Sequence, residues 1–311
     1  MSGETIPPQR RLLRLCHVFF VIFLLIQFLP DRVRGDPHAG YALAFIAGME
    51  VLTLLISVCI KKEPGLNLFL DIMGFVYILL IGWTLLTAKW NLLKASFFPP
   101  PGVVFEAALR DSRVIFVNIK TSLGIVAQGY LLALILAIPL GLFLGGSFRM
   151  GNAATYITKF LSAIPPVVYI PYGIALLPTF RSVSVLVIFL ASFWPALAGT
   201  MSGVLQVEKQ ILDSARSLNL NRVSLLFHII LPASMPQIFI GCNQGLSVSF
   251  ILLTSAEMIG ARSGLGYYVK NFSDLGDYTR IILGVLVIGM VVTVMVFFFN
   301  KIQRYLLRWK P

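Results

Sequence analysis

Residues able to do chemistry are few in this chain, and their spacing restricts what they can do. Three histidines, His17, His38 and His228, and three cysteines, Cys16, Cys59 and Cys242, are spread over 311 residues. The histidines are too scattered for a metal site. The cysteines all lie in apolar stretches without the paired spacing of a disulfide framework or metal cluster, and read as inert core residues. No Ser-His-acid set or paired-carboxylate arrangement stands out for catalysis. A phosphate-cradling Gly-x-x-x-x-Gly-Lys-Ser/Thr loop is absent as well, so no nucleotide site of that kind is expected in this chain. The expectation is therefore no catalytic residue, no metal and no cofactor bound by this chain.

The remaining polar groups stand inside apolar segments, where a charge at the bilayer centre costs about 2.5–3.5 kcal/mol on insertion scales. Along Asn243 to Glu257, the residues Asn243, Ser247 and Thr254 share one face at helical spacing, with Glu257 near one end. That face lines a path, or its small polar groups hold helices together. Glu257 is expected to pair structurally, with Arg262 or Arg280 as partners. Glu50 and Asp71 also fall within apolar segments, and for them a protonated or paired structural role is the preferred reading.

The elements that must position these groups follow from composition. Hydrophobic residues make up 58% of the chain and charged residues only 12%, against about 25% charged in soluble domains, and the mean hydropathy is +0.87. Candidate spans lie near 12–29, 41–60, 66–86, 121–144, 157–177, 183–203, 236–257 and 280–300. The apolar stretches are continuous rather than alternating, which excludes a transmembrane barrel. The net charge of +12 comes from basic residues flanking spans, so topology accounts for it without nucleic acid. The Lys and Arg distribution puts both termini on the cytoplasmic side. The basic start, Met1 to Arg14, leads into an apolar run with no small-residue cleavage site, so a retained first span is expected.

Three segments interrupt the plain spans. Ile164-Pro165-Pro166 and Pro171 fall inside the fifth, where prolines kink or interrupt a helix. Phe97-Phe98-Pro99-Pro100-Pro101-Gly102 opens a non-spanning stretch, with a short interfacial helix expected over 103–116. Between spans six and seven, residues 206–222 are polar, with Ile211, Leu212, Ala215 and Leu218 at the spacing of a short amphipathic helix. Asn219 suits a left-handed exit from it, and a second run, Val223 to Ile230, leads into Leu231-Pro232. The loop reads as helix, turn, helix on the membrane surface, and a loop of that length with its own helices is usually functional.

That loop resembles the cytoplasmic loop of permease subunits of bacterial ATP-binding-cassette importers. There, a Glu-Ala-Ala triplet is followed four residues later by Gly, and ten further on by Ile-x-Leu-Pro. Here Asp213-Ser214-Ala215, Asn219 and Ile229-Ile230-Leu231-Pro232 keep the spacing, with Asp, Ser and Asn as mild departures. The resemblance covers about residues 97–311 and is closest to the nitrate, sulfonate, taurine and bicarbonate branch. Its further marks are Thr121-Ser122-Leu123-Gly124, Ile138-Pro139-Leu140-Gly141, Ala256-Glu257-Met258-Ile259-Gly260 and Gly264-Leu265-Gly266-Tyr267.

The fold so implied is an all-α polytopic membrane protein, a six-span type I importer permease core preceded by two additional transmembrane helices. Residues 1–65 form the extension and 66–311 the core, with its coupling loop at 204–235. The resemblance implies that Asp213, Ser214, Ala215, Leu218, Asn219, Ile229, Leu231 and Pro232 couple to a cytoplasmic ATPase dimer, which carries the ATP and Mg. It further implies an extracytoplasmic solute-binding protein, a second permease copy as homodimer, surrounding membrane lipid, and a multi-pass location in the bacterial cytoplasmic (inner) membrane. The solute would be small and anionic or zwitterionic, such as a sulfonate, taurine, nitrate or bicarbonate; a thiamine-precursor pyrimidine or another small nitrogen compound is the alternative. An ion-coupled secondary transporter would need charged relays in several core spans, and only Glu257 stands near a boundary.

Overall fold

A computed structural model describes residues 15–29, 39–59, 63–218 and 220–308, and among these the regular structure is helical throughout. In hydrocarbon a helix satisfies its backbone groups within itself, which is why apolar runs of this length fold this way. Six helices are long and apolar enough to cross a membrane: Gly40–Cys59, Gly65–Lys89, Ser112–Gly145, Phe180–Leu205, Val223–Gly260 and Tyr278–Leu306. A bent pair, Phe148–Ser162 with Pro166–Leu176, makes a possible seventh. The first apolar helix, α1 (Leu15–Gln27), has 13 described residues; the start of its expected span, the basic Met1–Arg14 segment and His38 lie outside the described residues.

The chain divides into two compact units. The first comprises residues 1–113 with 272–283. It holds α1, α2 (Ala39–Cys59), α3 (Glu63–Thr84) with a wide π turn at Leu85–Lys89, and α4 (Pro101–Arg110). Phe23, Ile46, Leu66, Leu70 and Tyr77 interlock in one core. α3 buries part of its apolar face against the two helices that precede it. Lys89, buried, donates to Gln27 O (3.1 Å) and Leu29 O (2.6 Å), placing a cation on the carbonyls that end α1, where the helix dipole favours it. Phe45 of α2 stacks on Phe105 of α4 with centroids 3.8 Å apart. The expected interfacial helix over 103–116 is split at Asp111: α4 ends there, and the next helix starts at Ser112.

The second unit comprises residues 114–271 with 284–311. It contains α5 (Ser112–Gly145, apart from its first two residues), α6 (Phe148–Ser162), a 3-10 turn at Pro166–Tyr169, α7 (Ile170–Leu176), α8 (Phe180–Leu205), α9 (Lys209–Ser217) and α10 (Arg222–Leu225). After a π turn at Leu226–Ile230 come α11 (Leu231–Gly260), α12 (Leu265–Asp274, apart from its last three residues) and most of α13 (Tyr278–Leu306). The expected span 157–177 is an interrupted one, bent by 71°. Pro165 is extended, with φ −61° and ψ 125°, as a residue before proline prefers. Pro139, Pro195 and Pro236 sit inside continuous helices, so it is the paired prolines that break the chain.

The closest helix pair is α8 against α11. A Cβ on Gly199 would stand 2.8 Å from Gln237 O and from Gly241 Cα, and one on Gly241 would meet Pro195 O. Glycines at these positions let two backbones approach in the manner of small-residue interfaces in membranes. Ser192 and Ser249 hydroxyls are 2.6 Å apart across the same seam. Tyr130 of α5 donates to Cys242 O at 3.0 Å, so Cys242 is a buried part of this core.

Candidate functional site

The polar loop lies between the two helices of that seam. Glu208 O accepts from the Ile211 and Leu212 amides at 3.0 and 3.3 Å and starts α9. On this nine-residue helix Ala215 is buried, while Asp213 and Ser214 are exposed. Ile211 and Leu218 are also exposed, at 41% and 73%. The helix thus presents an acid, a hydroxyl and two apolar side chains outward and fixes itself through a small residue. Asn219, expected to turn the chain, lies outside the described residues. Asn221, which spacing arguments passed over, caps the next helix: its Oδ1 accepts from Ser224 N at 2.7 Å. Asn two residues ahead of an apolar run is the sequence signal for such a cap.

The second half of the loop differs from a separate surface helix. From Val223 the chain continues through the π turn into α11 without a break. At that turn Leu231 N bonds Leu226 O, five residues back. The wide turn accommodates Pro232, which has no N–H to donate and would otherwise crowd the preceding turn. Ile229, Leu231 and Pro232 are half-buried. A displacement at 223–230 is therefore carried directly by a spanning helix. His228 is exposed, with Nδ1 3.2 Å from Ser224 O.

On α11, the four expected path residues divide. Ser247 donates to Asn243 O (3.0 Å) and Thr254 to Ile251 O (2.8 Å), both within their own helix. Asn243 is half-buried, and its Oδ1 is buried without a hydrogen-bond partner among the described residues. Glu257 is 1% exposed. Its Oε1 accepts from Ser122 Oγ at 2.7 Å and its Oε2 from Gly266 N at 2.8 Å. Neither expected arginine is its partner in these bonds. Arg280 instead bonds Asp111 (Nε to Oδ2, 2.6 Å) and Asp277 (Nη1 to Oδ2, 2.6 Å).

Around Glu257 the turn at 261–266 is moulded to the carboxyl group. Gly264 N donates to Asn118 Oδ1 (2.8 Å) and Leu265 N to Ser122 Oγ (2.9 Å). Gly264 has φ +120°, and a Cβ there would collide with the Glu257 carboxyl, so only glycine serves. Asn118, Ser122, Gly264 and Gly266 thus act with Glu257 as one clamp joining α5, α11 and α12. No spacing rule links residues 118 and 264. In the first unit Glu50, 7% exposed, has His17 Nδ1 2.5 Å from Oε1 and accepts from Tyr77 OH at Oε2, 2.7 Å away.

The binding-protein-dependent transport system inner membrane component family matches residues 129–310. The chain belongs to that family. It is 33% identical to a probable ABC transporter permease protein of Brucella abortus over 79% of this chain and 96% of the relative. It is also 29% identical to the nitrate import permease protein NrtB of Leptolyngbya laminosa, over 65% of this chain and 70% of that one. With the taurine transport system permease protein TauC of Escherichia coli it shares 27% identity, over 77% and 89%. The fold matches a chain of the MetNI methionine ABC transporter in an inward-facing conformation, with a TM-score of 0.54 and 14% identity, over 63% of this chain and 97% of that one. The chain is thus an importer permease of the nitrate, taurine and bicarbonate type. Such chains are multi-pass inner-membrane transport subunits, not enzymes, and the family works with an ATPase and a solute-binding protein.

Proposed function

We propose that α9 seats in a groove of a cytoplasmic ATPase dimer, and that closure of that dimer on ATP and Mg drives passage of a small anionic or zwitterionic solute through a pair of these permeases. The observation that carries this reading is the continuity of residues 223–230 with α11, beside an α9 that buries Ala215 and exposes Ile211, Asp213 and Ser214. Motion of the ATPase acts on α9 and levers α11 against α8, a rigid-element shift of the kind switching proteins use. The loop then lies on the cytoplasmic side, and the alternation of spans puts both termini there too. Relatives described as nitrate, taurine and bicarbonate permeases favour a compact anion or zwitterion as the solute. Asn243, with spare acceptor capacity, and the neighbouring hydroxyls of Ser247 and Thr254 are the lining groups.

The test is reconstitution with the partner ATPase and binding protein in proteoliposomes. Asp213→Lys or Ala215→Trp is expected to leave the permease inserted while uptake falls at least tenfold and ATP hydrolysis no longer responds to loaded binding protein. Normal uptake and normal ATPase association in both variants would refute the reading.

A further inference from the structure

Cys16 and His17 are neighbours on α1, and Glu50 comes to them from α2, 33 positions along the chain from His17. We propose that Cys16, His17 and Glu50 form a site for a divalent d-block cation, of the zinc or cobalt class, within the bundle of α1, α2 and α3. The Cys16 sulfur, a ring nitrogen of His17 and a carboxylate oxygen of Glu50 all lie within 4.8 Å of one another. The sequence expectation of scattered histidines and inert cysteines overlooks this site, because it mixes three donor types and draws on two helices.

The donor set and its charge select the ion. Sulfur, imidazole and carboxylate together suit a borderline-soft cation, not magnesium or calcium, which take oxygen. A thiolate and a carboxylate balance a dication with imidazole neutral, so the filled site carries no net charge. Neutrality is what an apolar bundle demands of buried ions. Tetrahedral zinc bonds of about 2.0–2.3 Å separate ligand atoms by roughly 3.3–3.8 Å. No separation has to close by more than about 1.5 Å, and the His17–Glu50 pair opens by somewhat less than about 1 Å, movements within reach of side-chain rotation. Binding as thiolate releases the Cys16 proton to solvent.

The surroundings have the parts a metal site uses. Tyr77 holds the second carboxylate oxygen of Glu50 at 2.7 Å, as outer-shell groups do for ligating carboxylates. Hydrogen bonding by itself explains His17, Glu50 and Tyr77, but not the sulfur set beside them. A cavity of about 300 Å³ adjoins the cluster, with Cys16 and Asp71 on its wall. It gives the Cys16 side of the cluster an opening.

The test uses the full-length chain purified in detergent after growth with zinc or cobalt chloride. One ion per chain is expected by mass spectrometry, retained in Cys59→Ser and reduced at least tenfold in affinity in Cys16→Ser, His17→Gln and Glu50→Gln. With cobalt, a Cys59→Ser, Cys242→Ala chain, whose sole thiol is Cys16, is expected to show thiolate-to-cobalt charge-transfer absorption. That measurement stands even where the cluster variants fail to fold. Zinc, and not magnesium, is also expected to raise the thermal midpoint of the wild-type chain. Equal metal content in wild type and Cys16→Ser, or no charge-transfer band in the single-thiol chain, overturns the proposal.

Discussion

Glu257 provides the sharpest test of how the second unit holds together. Glu257→Ala leaves the Gly266 amide buried without an acceptor and strips Ser122 of one bond, while the lost carboxyl group leaves a void beside Gly264. An unsatisfied buried donor costs about 1–3 kcal/mol, and the void adds a further packing loss. Together these give about 3–5 kcal/mol, a shift of roughly two to three and a half orders of magnitude in the folding equilibrium. Glu257→Gln keeps the shape: its oxygen can face Gly266 N and its amide nitrogen Ser122 Oγ. The serine then gives up its own donation, for about 1 kcal/mol. Interhelical side-chain bonds in membranes average only about 0.6 kcal/mol, so a large alanine effect would come from the stranded backbone donor. The assay is thermal loss of monodisperse protein in detergent, with uptake measured on the same preparations. Glu257→Ala is expected to melt well below wild type, with Glu257→Gln close to it in both stability and uptake. An alanine variant as stable as wild type would refute the clamp. A glutamine variant that is stable but inactive would return Glu257 to the transport path.

Two further outcomes follow from packing and pairing. Gly241→Val forces side-chain atoms against Pro195 O and Gly199 Cα, backbone atoms that cannot rotate away. Overpacking costs about 1–3 kcal/mol even in yielding cores, so little folded protein is expected by size exclusion, whereas Gly289→Val, with open space around it, is expected to fold. Arg280→Gln removes paired bonds to Asp111 and Asp277, each partner being less than a third exposed. A loss of about 1.5–3 kcal/mol is expected from charged hydrogen bonds, and a double-mutant cycle with Asp111→Asn should show the two changes to be non-additive.

Much of the molecule follows from local sequence. Hydrophobic runs of helical length force helices wherever no water can satisfy the backbone, so the spans were legible, as was the amphipathic loop through Ile211, Ala215 and Leu218. The Asp213 to Pro232 spacing and its companions carried the family resemblance, because that motif is contiguous and can be read as local spacing. Adjacent prolines at 165 and 166 announced an interruption, but kink and break look alike in sequence, and the structure resolves them as a break of 71°. What tertiary structure alone decided concerns groups that meet over long separations. Ser122 reaches Glu257 across 135 positions and Asn118 reaches Gly264 across 146, and nothing in either segment names the other. The same holds for Cys16 and His17 with Glu50. Periodicity tells a helix which face to bury; only the packed bundle determines what that face is buried against.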